Sequence, residues 1–225
     1  MTSPLVSCTE LAASLADRNP PVLLDVRWKL GGPPGREEYE RGHLPDAVYV
    51  DLDTELAGPP GAGGRHPLPD PAALQRTLRA AGVRGDQPVV VYDADNGSIA
   101  ARAWWLLRWA GHGRVTVLDG GFAAWTAESR PVSTVAPEPK PGDFTVRPGG
   151  MPVLDAAGAA DLARAGLLFD ARAPERYRGD TEPIDARAGH IPGAVNAPFA
   201  AHIGEDGRWR PSAALAERFA DAGAA

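Results

Sequence analysis

Between Arg176 and Asn196 the chain reads RYRGDTEPIDARAGHIPGAVN, a stretch too polar for a core and too patterned for a spacer. Its three arginines, Arg176, Arg178 and Arg187, carry planar forks whose paired N–H donors match the oxygens of a carboxylate, sulfonate or phosphate. The competing use of Arg176 is a surface ion pair with Glu175 or Asp180. The only thiol is Cys8. It stands at the start of a helix, where the helix field lowers a thiol pKa, but it lies in no strand-to-helix loop and reads as a structural residue. The five histidines have no metal-ligand spacing, and with one cysteine a zinc site is not expected. No Walker or dinucleotide glycine loop is present, so neither a metal nor a cofactor is expected.

The elements that must position these side chains occur twice. VLLDVR (Val22–Arg27) returns as LLFDAR (Leu167–Arg172), GHLPDAVYV (Gly42–Val50) as GHIPGAVNA (Gly189–Ala197), and AALQRTLRAAGV (Ala72–Val83) as AALAERFADAGA (Ala213–Ala224). Three matches in one order mark a duplicated unit. Within the first copy, Ser7 and Glu10 form a capping box ahead of a helix reaching about Ala16. Val22–Val26 and Val89–Tyr92 are apolar runs of the kind that form strands buried on both faces. Ala72–Ala81 reads as a helix stopped by Gly82, Ser98–Ala110 as a helix stopped by Gly111, and Arg114–Gly121 as a strand and turn. This alternation predicts a parallel sheet covered by helices. The Pro-, Ser- and Gly-rich stretch from about 127 to 150 reads as a linker. The expected organisation is therefore 1–126, a linker over 127–150, and 151–225. Trp104, Trp105 and Trp109 share one helix and are expected at a face between the two halves.

The bulk numbers exclude several function classes. The 225 residues suffice for a core without disulfides, and the hydrophobic content of 44% is ordinary. The net charge of −6 is interspersed, with no basic tract, so neither nucleic acid nor an anionic membrane is an expected partner. No apolar run approaches a membrane span. A single cysteine fits a reducing compartment, and a cytoplasmic protein is expected.

The motifs resemble those of the tandem rhodanese family, the thiosulfate and 3-mercaptopyruvate sulfurtransferases. Tyr39 followed by RGHLPDA resembles the family's first signature, with Asp46 where glycine is usual. DGGFAAW (Asp119–Trp125) resembles the motif near the end of the first domain, and the stretch from Arg176 to Asn196 the opening of the catalytic domain. The resemblance implies an α/β fold of two rhodanese-like repeats, each a parallel sheet flanked by helices. It implies a sulfurtransferase in which a cysteine takes sulfur from a small anionic donor as a persulfide and passes it to a thiol or cyanide acceptor.

Further roles follow from the resemblance. Arg176 matches the arginine that holds the donor; Arg178 either adds positive potential or braces the loop. Arg187 is the candidate for the second arginine of mercaptopyruvate-specific members. The stretch before Gly189 is short for that pattern, which favours thiosulfate as donor. Asp53 and His66 match an acid–base pair reaching the active site from the first domain, where an aspartate orients an imidazole for proton transfer. The same pair reads equally as a loop histidine beside a capping aspartate. His43 and His190, in the repeated Gly-His turn, read as structural, as do Asp25 and Asp170.

The family's cysteine lies in the loop after the central strand of the second repeat. In the first repeat that loop begins at Asp93. The offset from Leu74 to Leu215 carries this position to about residue 234. The chain is therefore expected to be truncated before its catalytic cysteine, with the second repeat incomplete. Asp93 and Asp95 either repel anionic donors or, the favoured reading, belong to a solvated helix cap. The alternatives to an enzyme are a cysteine-free binding or regulatory module and a rhodanese-fold phosphatase, for which neither repeat offers the longer phosphate loop.

Overall fold

The computed structural model describes residues 3–61 and 64–224. The chain divides into two compact units, the first reaching Pro152 and the second starting at Val153.

In the first unit the capping box forms. The Ser7 hydroxyl accepts the Glu10 N–H at 3.2 Å, and the Glu10 carboxylate accepts the Ser7 N–H at 2.9 Å. They start α1 (Cys8–Leu15), which buries Cys8 and Leu11. The valine-rich runs become β2 (Val22–Asp25), β4 (Val89–Tyr92) and β5 (Val115–Leu118). Short edge strands β1 (Leu5–Val6) and β3 (Val48–Tyr49) complete an all-parallel sheet of order β1-β5-β4-β2-β3. Parallel strands need cover on both faces, and β4 shows it residue by residue. Val89 and Val91 face the cluster built with Leu74, Leu78 and Leu106, on α3 (Pro71–Ala80) and α4 (Ala100–Trp109). Val90 and Tyr92 face the cluster with Leu11 and Trp125, on α1 and α5 (Gly121–Ala127). A short helix, α2 (Gly35–Arg41), lies between β2 and β3. The helix tryptophans Trp104, Trp105 and Trp109 pack on the first unit's own core.

The stretch expected as a linker is docked on the first unit. The Gly142 N–H donates to Arg79 O at 2.7 Å, Arg147 N–H to Ala110 O at 2.8 Å, and Gly150 N–H to Trp109 O at 3.0 Å. Phe144 joins the core, and the Arg79 guanidinium holds its carbonyl at 2.8 Å. A Cβ on Gly142 would stand 1.9 Å from the Val83 carbonyl oxygen, so only glycine permits the approach. Proline and glycine here serve close packing of an irregular strap rather than freedom.

The second unit contains α6 (Ala156–Ala165), β6 (Phe169–Asp170), α7 (Pro174–Arg178), β7 (Val195–Asn196), a 3-10 turn (Phe199–His202) and α8 (Ser212–Asp221). Its two strands pair in parallel, Asp170 opposite Asn196, as Asp25 stands opposite Tyr49 in the first unit. The duplication is thus a structural one. The copies differ in depth: among the described residues, those buried in the second unit are Ala163, Ala194, Ala197 and His202, three of them alanines. So little apolar area gives this unit a small share of hydrophobic stabilisation. In amide hydrogen exchange, the Val89–Tyr92 amides are expected to be the slowest, and those of Phe169 and Val195 to exchange at least about 100-fold faster, through local opening of the second unit.

Candidate active site

Ligand sites of open parallel sheets lie beyond the carboxyl ends of the strands. Asp53 and His66 lie in the segment between β3 and α3, and Arg176 and Arg178 on α7, which follows β6.

At the end of β2, Asp25 and Arg27 form a closed ion pair. Arg27 donates its backbone N–H and Nε to Oδ1 at 3.1 Å each, and Nη2 to Oδ2 at 2.7 Å. Nη2 also donates to the Gly42 carbonyl at 2.7 Å, tying β2 to the Gly-His turn. The ring of His43 stacks on Tyr39 at 3.9 Å and donates Nδ1–H to its carbonyl, while Tyr39 donates its hydroxyl to Ala47 O at 2.8 Å. The second unit repeats every contact. Arg172 holds Asp170 through its backbone N–H, Nε and Nη2, and Nη2 reaches Gly189 O at 2.7 Å. His190 stacks on Tyr177 at 3.7 Å, and the Tyr177 hydroxyl donates to Ala194 O at 2.7 Å. These residues are scaffolding, as their presence in both repeats implied. Asp46, at φ 62°, takes the left-handed conformation that its counterpart Gly193 takes at 92°. Aspartate is tolerated at the first site; at the second a Cβ would meet Ala163 O at 2.4 Å.

The loop after β4 forms an anion cradle. Asp93 Oδ1 accepts the N–H groups of Asp95 (3.2 Å) and Gly97 (2.9 Å); Oδ2 accepts those of Ile99 (2.9 Å) and Ala100 (3.0 Å). The carboxylate is 2% exposed. This corrects the solvated-cap reading: Asp93 is an internal anion. Burial pushes its pKa up, opposed by the backbone N–H groups. The signal was present in the sequence, in the Asp-x-x-x-Gly spacing at the loop, but its depth came from α4 closing over it.

Asp53 and His66 are brought together. His66 Nε2 lies 2.7 Å from Asp53 Oδ1, and because a carboxylate only accepts, Nε2 is the donor. Arg102 on α4 fixes the histidine's segment by donating Nη2 to the carbonyls of His66 and Pro67 at 3.1 Å. Asp51 Oδ1 accepts the Thr54 N–H at 2.9 Å, shaping the turn that presents Asp53. Sequence reasoning missed Trp28, whose indole N–H donates to Asp53 Oδ2 at 2.8 Å.

The arginines are partnered differently from expectation. Arg176, on α7, is held by Glu182: Nε to Oε2 at 3.2 Å and Nη2 to Oε1 at 2.7 Å, with Nη2 also on Asp185 Oδ2 at 2.9 Å. Glu182, not Glu175 or Asp180, is its partner. Glu182 also accepts the N–H groups of Ile184 and Asp185 and contacts Arg172 at 3.5 Å. Arg176 and these amides hold its pKa down to about 2. Arg178 donates to Asp180 at 2.8 Å, so it braces its own loop. Arg187 is exposed. Cys8 is 1% exposed, packed within the apolar cluster around Leu11 and Tyr92. Among the described residues no cluster of three His, Cys, Asp or Glu could hold a metal ion, and no helix is long and apolar enough to cross a membrane.

Residues 7–128 match the rhodanese-like domain. The chain belongs to the rhodanese family. Over 227 residues it is 45% identical to a Mycobacterium tuberculosis protein named as a thiosulfate sulfurtransferase, SseB, covering 97% of this chain and 78% of that one. It is also 45% identical over 221 residues to a Pseudomonas aeruginosa protein named as a 3-mercaptopyruvate sulfurtransferase, covering 96% and 78%. The crystal structure of SseA from Escherichia coli, described as a 3-mercaptopyruvate sulfotransferase, superposes with a TM-score of 0.86 at 28% identity, over 100% of this chain and 85% of that one. By family this rhodanese is a sulfur-transferring enzyme.

Two of its carboxylates give measurable consequences. Asp93→Asn puts an NH2 group against two N–H donors of the cradle and is expected to cost about 1–3 kcal/mol in urea unfolding. Glu182 has a folded pKa below its unfolded value, so its stabilisation is complete above pH about 4.5 and is lost as the pH falls towards about 2. Glu182→Gln is expected to flatten the acid limb of the stability–pH curve in that window.

Proposed function

We propose that this rhodanese moves sulfane sulfur from a small anionic donor, thiosulfate in preference to 3-mercaptopyruvate, to a thiol or cyanide acceptor in the cytoplasm. A cysteine thiolate attacks the outer sulfur of thiosulfate. The new S–S bond forms as the old one breaks, and sulfite leaves with the electron pair. The acceptor then attacks the outer persulfide sulfur and regenerates the thiolate. With 3-mercaptopyruvate the leaving group is the pyruvate enolate, which takes a proton; the Asp53–His66 pair relays it, His66 Nδ1 first accepting the proton of the donor's own thiol and then giving it to the enolate.

The observation that carries this reading is the cradle around Asp93. Four backbone N–H groups there surround a buried negative charge, an environment that stabilises a thiolate or persulfide as well as a carboxylate. In the first unit Asp93 fills it, which makes that unit non-catalytic. On this reading the sulfur-carrying cysteine belongs at the position of the second repeat equivalent to Asp93. Cys8 does not serve, because a buried apolar setting leaves its thiol inert. Arg176 is the donor's anchor. Glu182 occupies its Nε/Nη2 edge, so the donor's oxygens take the Nη1 side, next to Asp185. Arg187 is exposed on the same loop, and Arg178, held on Asp180, braces it.

Sulfite release from thiosulfate, with cyanide as acceptor, tests the assignment. The 225-residue chain is expected to show no turnover, and Cys8→Ser to change nothing; turnover that Cys8→Ser abolishes overturns it. In a protein carrying a cysteine at the second-repeat position, Arg176→Lys is expected to raise KM for thiosulfate about 10-fold with little change in kcat, since a lysine ammonium cannot hold Glu182 and present a further donor group at the same time.

A further inference from the structure

We propose that Trp28 is a positioning residue that fixes the Asp53–His66 pair. The inference rests on the reading of that pair as the acid–base group. Asp53 lies on the surface, its side chain 53% exposed. A lone hydrogen-bonded ion pair on the surface holds its geometry poorly, because solvent competes for both partners. Asp53 is held on both oxygens instead. His66 Nε2 donates to Oδ1 at 2.7 Å and Trp28 Nε1 donates to Oδ2 at 2.8 Å. Two donors on opposite oxygens fix the plane of the carboxylate, and the plane of the carboxylate fixes the direction in which the imidazole must point.

Trp28 acts a second time, through its ring. It meets His66 edge-on, with centroids 5.6 Å apart and planes at 83°. This packing stops the imidazole from swinging about its side-chain bonds. The tryptophan itself is anchored by its neighbours in sequence: Val26 N–H donates to Tyr92 O at 2.9 Å, and Arg27 is locked into Asp25 and Gly42. The sheet's rigidity thus passes from β2 through Trp28 to Asp53 and on to His66, across three separate segments of chain. With Nε2–H committed to Asp53, the proton-accepting nitrogen of the neutral ring is Nδ1. Trp28 thereby determines which nitrogen faces a reacting proton and where it stands. The indole also forms one wall of a cavity of about 340 Å³ with Phe122 and Ala94.

The test is nitrogen-15 NMR of the imidazole and indole groups in the 225-residue chain, which requires no turnover. In the parent protein the His66 Nε2 proton is expected to be seen and protected from solvent. In Trp28→Phe, which keeps an aromatic ring but removes the donor, its exchange rises about 10-fold, as expected when one hydrogen bond no longer holds the shared acceptor. The dependence runs one way: His66→Ala leaves the Trp28 indole proton protected, whereas Asp53→Ala exposes it. An unchanged His66 Nε2 proton in Trp28→Phe with a native backbone spectrum overturns the proposal. Should Trp28→Phe disturb the backbone, the two other variants decide it: an indole proton indifferent to Asp53→Ala overturns it equally. If His66 loosens while 3-mercaptopyruvate turnover by a cysteine-bearing protein with the same substitution is unchanged, the acid–base reading of the pair fails and the positioning by Trp28 stands.

Discussion

The structure depends on a carboxylate and a guanidinium two residues apart at the end of a buried strand. Asp25 is fully buried and Arg27 nearly so. Neither charge would be tolerated there alone: breaking such a pair by removing one partner costs about 3–5 kcal/mol, because the other is left buried and uncompensated. Every hydrogen bond of the pair also does geometric work. Arg27 carries β2 across to the Gly-His turn, and Tyr92, whose pKa is pushed well above its usual value by burial and the Asp25 charge, joins β4 to the same hub. The Asp170–Arg172 pair does this again at Gly189, in a shallower setting. In each unit the carboxyl ends of the strands are held in place by the same interaction.

Beyond these matching pairs the two repeats differ. The first has spent its ring of backbone N–H groups on its own Asp93, a stable arrangement because the anion and its donors come in one loop. Its Asp53–His66 pair stands on the turn after β3 and the segment before α3. Arg176, Arg178 and Arg187 lie in the second unit. Glu182 bridges Arg172 and Arg176, and so joins the structural arginine of the strand end to the arginine of α7. A nearly buried carboxylate between two cations keeps its charge under acid conditions.

Much of the fold was legible because its signals are local. The capping box, the valine runs of β2 and β4, and Gly82 and Gly111 closing their helices each depend on a few adjacent residues. The short strands β1 and β3 were not legible: two residues carry no periodicity, and they exist through pairing with β5 and β2. The proline-rich strap misled for a related reason. Its composition resembles that of a spacer, but Gly142 and Phe144 meet partners about sixty residues upstream, and no local pattern announces such a contact. Among the site residues, Asp53 and His66 were found through motif positions. Trp28 lies outside those motifs, and its bond to Asp53 joins positions 25 residues apart.

By itself the sequence determined the duplication, the parallel α/β class and the identities of the chemical groups. These follow from periodicity, composition and repeated motifs, and such information lies along the chain. Only the tertiary structure decided how the charges are spent: Asp93 inside its cradle, Glu182 on Arg176, Trp28 on Asp53. Whether a charged or polar group binds a neighbour or remains available to a ligand depends on distances of a few ångströms between distant segments. Electrostatic and hydrogen-bonding energies change steeply over that range, and sequence separation carries no record of it.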